Sequence, residues 1–322
     1  MKWVSDVHYP ERITSTTIVY IPFLDGYWKE SLDVLKLCLG SMRQNTQLPF
    51  DLMVFDNGSC EEVQDYLLDL RRRGEIQYLV LSEHNVGKVG AWNILFLAAP
   101  GEIIAYCDSD VYFLPGWLEA SLEILEEFPE AGIVTAQPIA GGDVSSLWTT
   151  QAAQKNPSVL IQTGCLIPEE YLVAHLAGVG DPEKEYERRQ INRKDVLLSR
   201  GVTQAYATAS HFQFTTTKRV VQALFPSDTT IPLGDDHQFD KEMRDLGYWR
   251  LATTQYLVHH MGNRVPDLRS ELGGISMGIK FSRSGASNSP VPESSKIRFL
   301  HSSFVRRILK RVNTISYKLL YK

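Results

Sequence analysis

Ile103-Ile104-Ala105-Tyr106-Cys107-Asp108-Ser109-Asp110 is an apolar run that ends in two carboxylates one residue apart. The run reads as a buried strand, bounded by its acidic end. Bare carboxylates at such a place are costly unless something cationic meets them. Oxygen ligands of this kind suit Mg²⁺ or Mn²⁺. A three-residue D-x-D also occurs in plain turns, so its meaning rests on what surrounds it.

Three more strands are predicted ahead of it. Thr16 to Ile21 is β-branched and apolar and is stopped by Pro22; Phe50 to Phe55 is closed by Asp56-Asn57-Gly58-Ser59; Ile76 to Leu81 is the third. Helical stripes lie between them. Lys29 to Met42 carries Leu32, Leu35, Leu39 and Met42, the next helix shows Val63, Tyr66, Leu67 and Leu70, and Asn85-Val86-Gly87 opens another through about Ala98. The second of these ends in Arg71-Arg72-Arg73-Gly74, a basic last turn with a glycine after it, which reads as a helix end. Beyond the quoted run, Pro115 begins a helix with Leu118, Leu122, Leu125 and Phe128 inward, and Gly132 to Ala136 is a short strand. The alternation predicts an α/β chain with a mostly parallel central sheet flanked by helices. In such sheets ligands bind beyond the carboxyl ends of the strands, where Asp25, Asp56, Asn85 and the Asp108/Asp110 pair all fall.

From Gly141 to about Thr208 the pattern weakens, and residues 141–208 read as an insertion on the acceptor side of the site. Within it, Gln162 to Cys165 is a candidate loop and Glu183 to Arg200 a charged, solvated helix. Phe212 to Thr215 alternates like a strand. Asp235-Asp236-His237 precedes a helix with Phe239, Met243 and Leu246 that ends at Gly247, and Tyr256 to His260 is a last strand. Ser282 to Ser295 is rich in Ser and Pro and reads as a linker. The predicted organisation is a domain over 1–281, a linker over 282–295 and a tail over 296–322.

Composition bounds the class. The 322 residues are 43% hydrophobic and 22% charged, which is ordinary for a globular protein. Cys38, Cys60, Cys107 and Cys165 are far apart and form no C-x-x-C, so neither a zinc site nor a disulfide framework is indicated. Met1 to Ser15 has no apolar signal-peptide core, and no stretch approaches the roughly 20 apolar residues of a spanning helix. A cytoplasmic setting is the expectation. Lys296 to Lys322 holds eight Lys or Arg and no acid; without them 25 basic residues face 38 acidic ones, a net of −13. An acidic body argues against nucleic acid as its ligand. In the tail, Ile297, Leu300, Phe304, Ile308, Val312, Ile315 and Leu319 recur at helical spacing, with Arg306, Arg307, Lys310 and Arg311 off that stripe. This basic amphipathic helix suits an anionic membrane surface on the cytoplasmic face, and equally a helix packed on an acidic domain.

The ordered set of strand-end motifs resembles the inverting glycosyltransferases of family 2, which have the GT-A fold. The residues that carry the resemblance are Pro22, Asp56-Asn57-Gly58-Ser59, Asn85-Val86-Gly87 with Ala91 and Asn93, Asp108-Ser109-Asp110, Gly234-Asp235-Asp236 before a helix ending in Gly247-Tyr248, and His260-Met261-Gly262. The resemblance implies a GT-A-like nucleotide-diphospho-sugar transferase fold and a metal-dependent, inverting transfer. The donor would be a nucleoside-diphosphate sugar, UDP favoured, and the acceptor a saccharide or lipid-linked hydroxyl in polysaccharide or glycoconjugate assembly. By position, it implies Mn²⁺ or Mg²⁺ on Asp110, with Asp108 touching the metal through water or the ribose, and His260 or its neighbour His259 completing the shell. Pro22, Phe23 and Asp25 would contact ribose and base. Asp56 would accept from the nucleobase, with Asn57 and the turn beside it, and Asn85, Gly87, Lys88, Asn93 and Ser109 would line the donor site. Lys88 also reads as an exposed helix lysine. Asp236 is the general base the resemblance implies; Asp235 stands where Glu is commoner, so which acid acts is open. His211, Gln213 and Trp249 could line the acceptor side, although core packing accounts for Trp249 equally well.

Two rival readings exist. A nucleotidyltransferase that makes nucleotide-sugars would carry a Gly-rich, Arg/Lys-containing loop after the first strand, which Pro22-Phe23-Leu24-Asp25-Gly26 does not resemble. A catalytically silent sugar-nucleotide-binding scaffold would share the motifs without turnover. No G-x-G-x-x-G follows the first strand, and no P-loop G-K-[ST] is present.

Overall fold

β1 (Ile13–Val19), β2 (Asp51–Asp56), β3 (Tyr78–Leu81) and β4 (Ile103–Asp108) lie parallel in the order β3-β2-β1-β4. β-Branched and apolar residues fill them, and three helices make the crossovers: α1 (Ser31–Gln44), α2 (Glu61–Arg72) and α3 (Gly87–Ala98). The computed structural model describes residues 7–140, 144–178, 181–191, 193–227, 236–273 and 275. The chain divides into two units, Met1–Ser276 and Met277–Lys322, and the described residues all belong to the first. The expected linker and basic tail lie outside the described residues, as does Asp235.

A short strand that the sequence reading missed, β5 (Val111–Phe113), follows the acidic pair directly. Then come α4 (Trp117–Glu127), β6 (Ala131–Thr135), α5 (Val144–Ala153), β7 (Leu160–Gly164), α6 (Glu169–Ala177), α7 (Pro182–Gln190), β8 (Asp195–Arg200) and β9 (Thr203–Tyr206). β10 (Gln213–Thr217), α8 (Lys218–Leu224), α9 (Asp236–Asp245), β11 (Trp249–Ala252), β12 (Val258–His260) and α10 (Leu268–Leu272) complete the unit. Among the described residues the main sheet has ten strands in the order β3-β2-β1-β4-β10-β6-β11-β9-β8-β7, and β12 pairs with β5 in a separate ribbon. β10 runs antiparallel between β4 and β6, so its start reaches the same edge as the ends of β1, β2 and β4.

Two expectations for the 141–208 region change. Gln162 to Gly164 belongs to β7 rather than a loop, paired antiparallel with β8. The charged stretch from Glu183 is helical only to Gln190, and Asp195–Arg200 is strand. These outer strands are half-exposed, which removed the apolar alternation that would have announced them.

Alternation along β4 sorts the core into two layers. Ile103, Ala105 and Cys107 pack with α1, α2 and α4 residues such as Leu35, Leu67 and Leu118. Ile104 and Tyr106 face the other way, onto Val89, Trp92, Phe96, Val221 and Phe239 from α3, α8 and α9. Asp108 shares the parity of Tyr106 and therefore emerges on the α3 face. The second layer holds an aromatic cluster: the Trp92 ring meets Phe96, Tyr106, Phe214, Phe225 and Phe239 with centroids 5.4 to 6.4 Å apart. Trp92→Ala should lower unfolding free energy by about 3–5 kcal/mol, the usual cost of emptying a large buried aromatic position. Urea denaturation followed by far-UV circular dichroism measures it; a loss below about 1 kcal/mol would contradict the packing described.

Candidate active site

The β5–β12 ribbon brings His260 opposite Val111, next to Asp110. The Met261 N–H donates to the Asp110 carbonyl at 2.8 Å, which fixes the crossing. His260 Nε2 lies 3.2 Å from Asp110 Oδ2, with the two side chains 23% and 21% exposed. Burial alone would push the His260 imidazole down, but the adjoining Asp110 carboxylate outweighs it and holds the ring above its ordinary pKa. A β-carbon at Gly178, just after α6, would sit 2.0 Å from the His260 carbonyl oxygen and 2.9 Å from its Nδ1. Only glycine lets the chain pass so close.

His259 faces the opposite way, as strand alternation requires. It is fully buried, Tyr256 Oη is 2.9 Å from its Nδ1, and its Nε2 is 2.9 Å from Glu271. Burial pushes this imidazole down despite Glu271, and both ring nitrogens are engaged. Of the two histidines left open, His260 is the one that meets Asp110, and both ring nitrogens of His259 are taken by Tyr256 and Glu271. Asp110 Oδ1 is buried without a hydrogen-bond partner. An uncompensated carboxylate oxygen beside an imidazole is a donor set that fits a divalent cation. Among the described residues no group of three or more His, Cys, Asp or Glu could hold one. The side chains described here therefore offer Asp110 and His260, and further ligands would come from phosphate oxygens or water, as is common for Mg²⁺.

Asp108 is compensated differently. Lys88 Nζ lies 2.9 Å from Asp108 Oδ1 and 3.0 Å from Oδ2, and the Tyr106 hydroxyl donates to Oδ1. Burial pushes the Asp108 carboxyl up and Asp110 adds to that, against the opposing pull of Lys88 and Tyr106. Lys88 is itself only 30% exposed and stands over the Trp92 and Tyr106 rings at 5.2 and 5.8 Å. This corrects its reading as an exposed helix lysine: α3 begins at Gly87 and aims its first turn at the acids. Ser109 is partly exposed in the turn between them.

The other strand-end residues build the walls. Asp56 is fully buried, accepts from the Ser59 N–H and from Gln64 Nε2, and is pushed up by burial. The Asn57 side chain donates to Asn85 Oδ1 at 2.9 Å and accepts from the Val86 N–H at 2.8 Å; Asn85 accepts in turn from the Gly87 N–H at 2.8 Å. Asn57 and Asn85 thus clamp the β2 and β3 exits together. Asn93 points elsewhere: its amide bonds both the N–H and the carbonyl of Ser227. Asp25 caps a 3₁₀ turn, Gly26–Trp28, by accepting from the Gly26 N–H, and Phe23 is 54% exposed beyond the partly buried Pro22.

Across from these, α9 starts at Asp236 itself, two residues earlier than the sequence reading placed it. One turn later Asp240 receives His211 Nε2 at 2.7 Å and Arg250 Nη1 at 2.6 Å. Neither Asp240 nor Arg250 was singled out from the sequence. The four-residue spacing of Asp236 and Asp240, and an arginine inside the apolar strand Trp249-Arg250-Leu251-Ala252, were the available signals. Gln213 is buried and accepts from the Ala136 N–H, while Trp249 packs in the core near Phe128.

Residues 19–179 match the family model described as glycosyl transferase family 2. The chain belongs to that family. Its fold is GT-A. An uncharacterized glycosyltransferase of Nostoc sp. is 26% identical over 137 residues, 40% of this chain and 42% of that protein. The solved structure of GalNAc-T7 with UDP, GalNAc and Mn²⁺ aligns with a TM-score of 0.50 at 13% identity, over 78% of this chain and 44% of that one. A mannosyltransferase of Pyrobaculum calidifontis in complex with GDP-Man and Mn²⁺ aligns at 0.46 and 14% identity, over 76% and 57%. The family 2 chain thus spans less than half of the Nostoc relative and of GalNAc-T7.

The raised His260 pKa has a consequence for the metal-free protein. A group raised by its partner contributes stability that is full below the unfolded imidazole value, about 6.5, and is lost as pH rises through the higher folded value. Asp110→Asn should therefore lower the urea midpoint in EDTA most near pH 6 and progressively less toward pH 8.5. A deficit that grows with pH would contradict the ion pair.

Proposed function

We propose that this family 2 chain moves a sugar from a nucleoside-diphosphate sugar to an acceptor hydroxyl with inversion at the anomeric carbon. The observation that carries the reading is the Asp110–His260 pair with its unpartnered Asp110 oxygen, beside the Lys88–Asp108 ion pair at the carboxyl ends of the strands. In this reading the acceptor oxygen attacks the anomeric carbon from the face opposite the diphosphate. Its proton passes to the Asp236 carboxylate, with Asp235 the alternative, while the bond from the anomeric carbon to the phosphate oxygen breaks and its electron pair leaves with the diphosphate. A single displacement of this kind inverts the centre.

Asp110 and His260 would hold Mn²⁺ or Mg²⁺, and a bound cation stabilises the charge on the departing diphosphate. Lys88 adds a fixed positive charge on the same side, and Asp108 would accept from the ribose. Asn57, Asn85 and Gly87 shape the donor wall, with Asp56 behind it as the nucleobase acceptor and Pro22, Phe23 and Asp25 over the base. UDP is the favoured nucleotide; GalNAc-T7, of the same fold, was solved with UDP and Mn²⁺. A saccharide or lipid-linked acceptor in polysaccharide or glycoconjugate assembly is the accompanying proposal.

Hydrolysis of UDP-N-acetylglucosamine and UDP-glucose in Mn²⁺, with water as acceptor, tests this. Asp236→Asn should keep UDP affinity within about twofold and slow UDP release by about a hundredfold or more, the usual worth of a general base. Asp110→Ala should lose the stimulation by Mn²⁺. Full turnover in Asp236→Asn with loss in Asp235→Asn would move the base by one residue; full turnover in both would remove it from this helix.

We further propose that residues 296–322 dock on anionic lipid at the cytoplasmic face and bring the site to a membrane-associated acceptor. Eight basic and no acidic residues over that span support it. No helix among the described residues is long and apolar enough to cross a membrane. Deleting 296–322 should abolish cosedimentation with phosphatidylserine vesicles and leave UDP binding intact; unchanged cosedimentation would sink the idea.

A further inference from the structure

Asp240, His211 and Arg250 form a largely buried polar cluster that the chemistry above does not use. Asp240 Oδ1 is 2.7 Å from His211 Nε2, and Asp240 Oδ2 is 2.6 Å from Arg250 Nη1. Arg250 Nη2 reaches the Ala209 carbonyl at 2.6 Å. The three side chains are 13%, 17% and 1% exposed. They join three separate pieces of chain: α9, the segment leading into β10, and β11. That segment touches the donor side as well. The His211 carbonyl lies 3.4 Å from Lys88 Nζ, and the Phe212 carbonyl accepts from the Asp108 N–H at 2.7 Å.

Energetics make this arrangement informative. A buried ion pair stabilises little over apolar side chains of the same volume, because desolvation offsets the attraction. Apolar packing was available here, since the His211 and Phe239 rings are already 5.8 Å apart beside the aromatic layer. What directed charged bonds supply instead is register. Asp240 lies one turn after Asp236 on the same helix, so fixing Asp240 fixes where the helix begins.

We propose that Asp240 and His211 are positioning residues, a strut that sets the start of α9 against the Lys88–Asp108 side of the cleft and so holds Asp236 in register for proton transfer. The proposal rests on the reading of Asp236 as the base. It predicts a defect in the chemical step without a defect in donor binding, since a displacement of about 1 Å in a catalytic group can cost two orders of magnitude in rate.

The experiment measures kcat and KM for UDP release from UDP-N-acetylglucosamine in Mn²⁺, UDP affinity by calorimetry, and Tm, on the full chain. Asp240→Asn and His211→Leu should each lower kcat about tenfold or more, with KM and UDP affinity within about twofold. His211→Gln, whose amide can still donate to Asp240, should recover most of the loss. The strut is overturned if both disruptive variants keep full kcat, if kcat falls only in step with the number of UDP sites, or if His211→Gln is no better than His211→Leu. Asp236→Asn, measured alongside, separates the two ideas. Full turnover there overturns the base assignment and the strut together; lost turnover there with normal Asp240→Asn and His211→Leu overturns the strut alone.

Discussion

Asp108 and Asp110 leave the sheet edge one residue apart, and two carboxylates in a half-buried place repel each other unless each finds its own cation. The turn at Ser109-Asp110 breaks the strand alternation, so the two acids meet different neighbours. Asp108 takes Lys88 from the first turn of α3, and Asp110 takes His260 from β12. Each solution imposes a condition on distant sequence. Helix α3 must begin at Gly87 for its lysine to reach back over the Trp92 and Tyr106 rings. The ribbon of β5 and β12 must hold a register that sends His260, and not His259, toward the acid.

The asymmetry has chemical content. Asp108 is satisfied by protein alone, from an ammonium on one side and a phenol on the other. Asp110 keeps one buried oxygen without a donor. Leaving such an atom unpaired carries a desolvation penalty of roughly 1–3 kcal/mol, more for a charged group. In the proposed reading a bound cation would take that oxygen. The Trp92 and Tyr106 rings give Lys88 a surface to stand on.

The parallel half of the fold was readable because β1, β2 and β4 are buried on both faces and the helices between them carry clear stripes. Each of β1 to β4 was anticipated near its observed position, and α3 was placed from Asn85-Val86-Gly87. Strand β5 was not, since three residues are too few to show a period. The outer strands β7 and β8 lacked alternation because they are edge-side and half-exposed. Site residues at strand ends were legible by type but not by facing: the choice between His259 and His260 needed the pairing register. The Asp240–Arg250 pair was hidden for another reason. A buried charge has no periodic signature, and only the tertiary fold brings α9, β11 and the segment before β10 together. The places of Asp25, Asp56 and Asn57 follow strand position, whereas Asn93, which shares their polar character, holds Ser227.

The ribbon that joins β5 to β12 also sets an order of events during vectorial synthesis. Strands β1 to β4 and their three helices emerge first and can pair among themselves, with Asp108 and Lys88 both already present. Asp110 emerges with them but its partner does not. His260 arrives only after β6 to β11 have been made, and Gly178, against which it must pack, has by then long left the exit tunnel. A nascent chain arrested anywhere before β12 would carry the wall built at the ends of β1 to β4 and an acid pair only half compensated. Completion of the Asp110–His260 pair is thus among the last steps of making the domain.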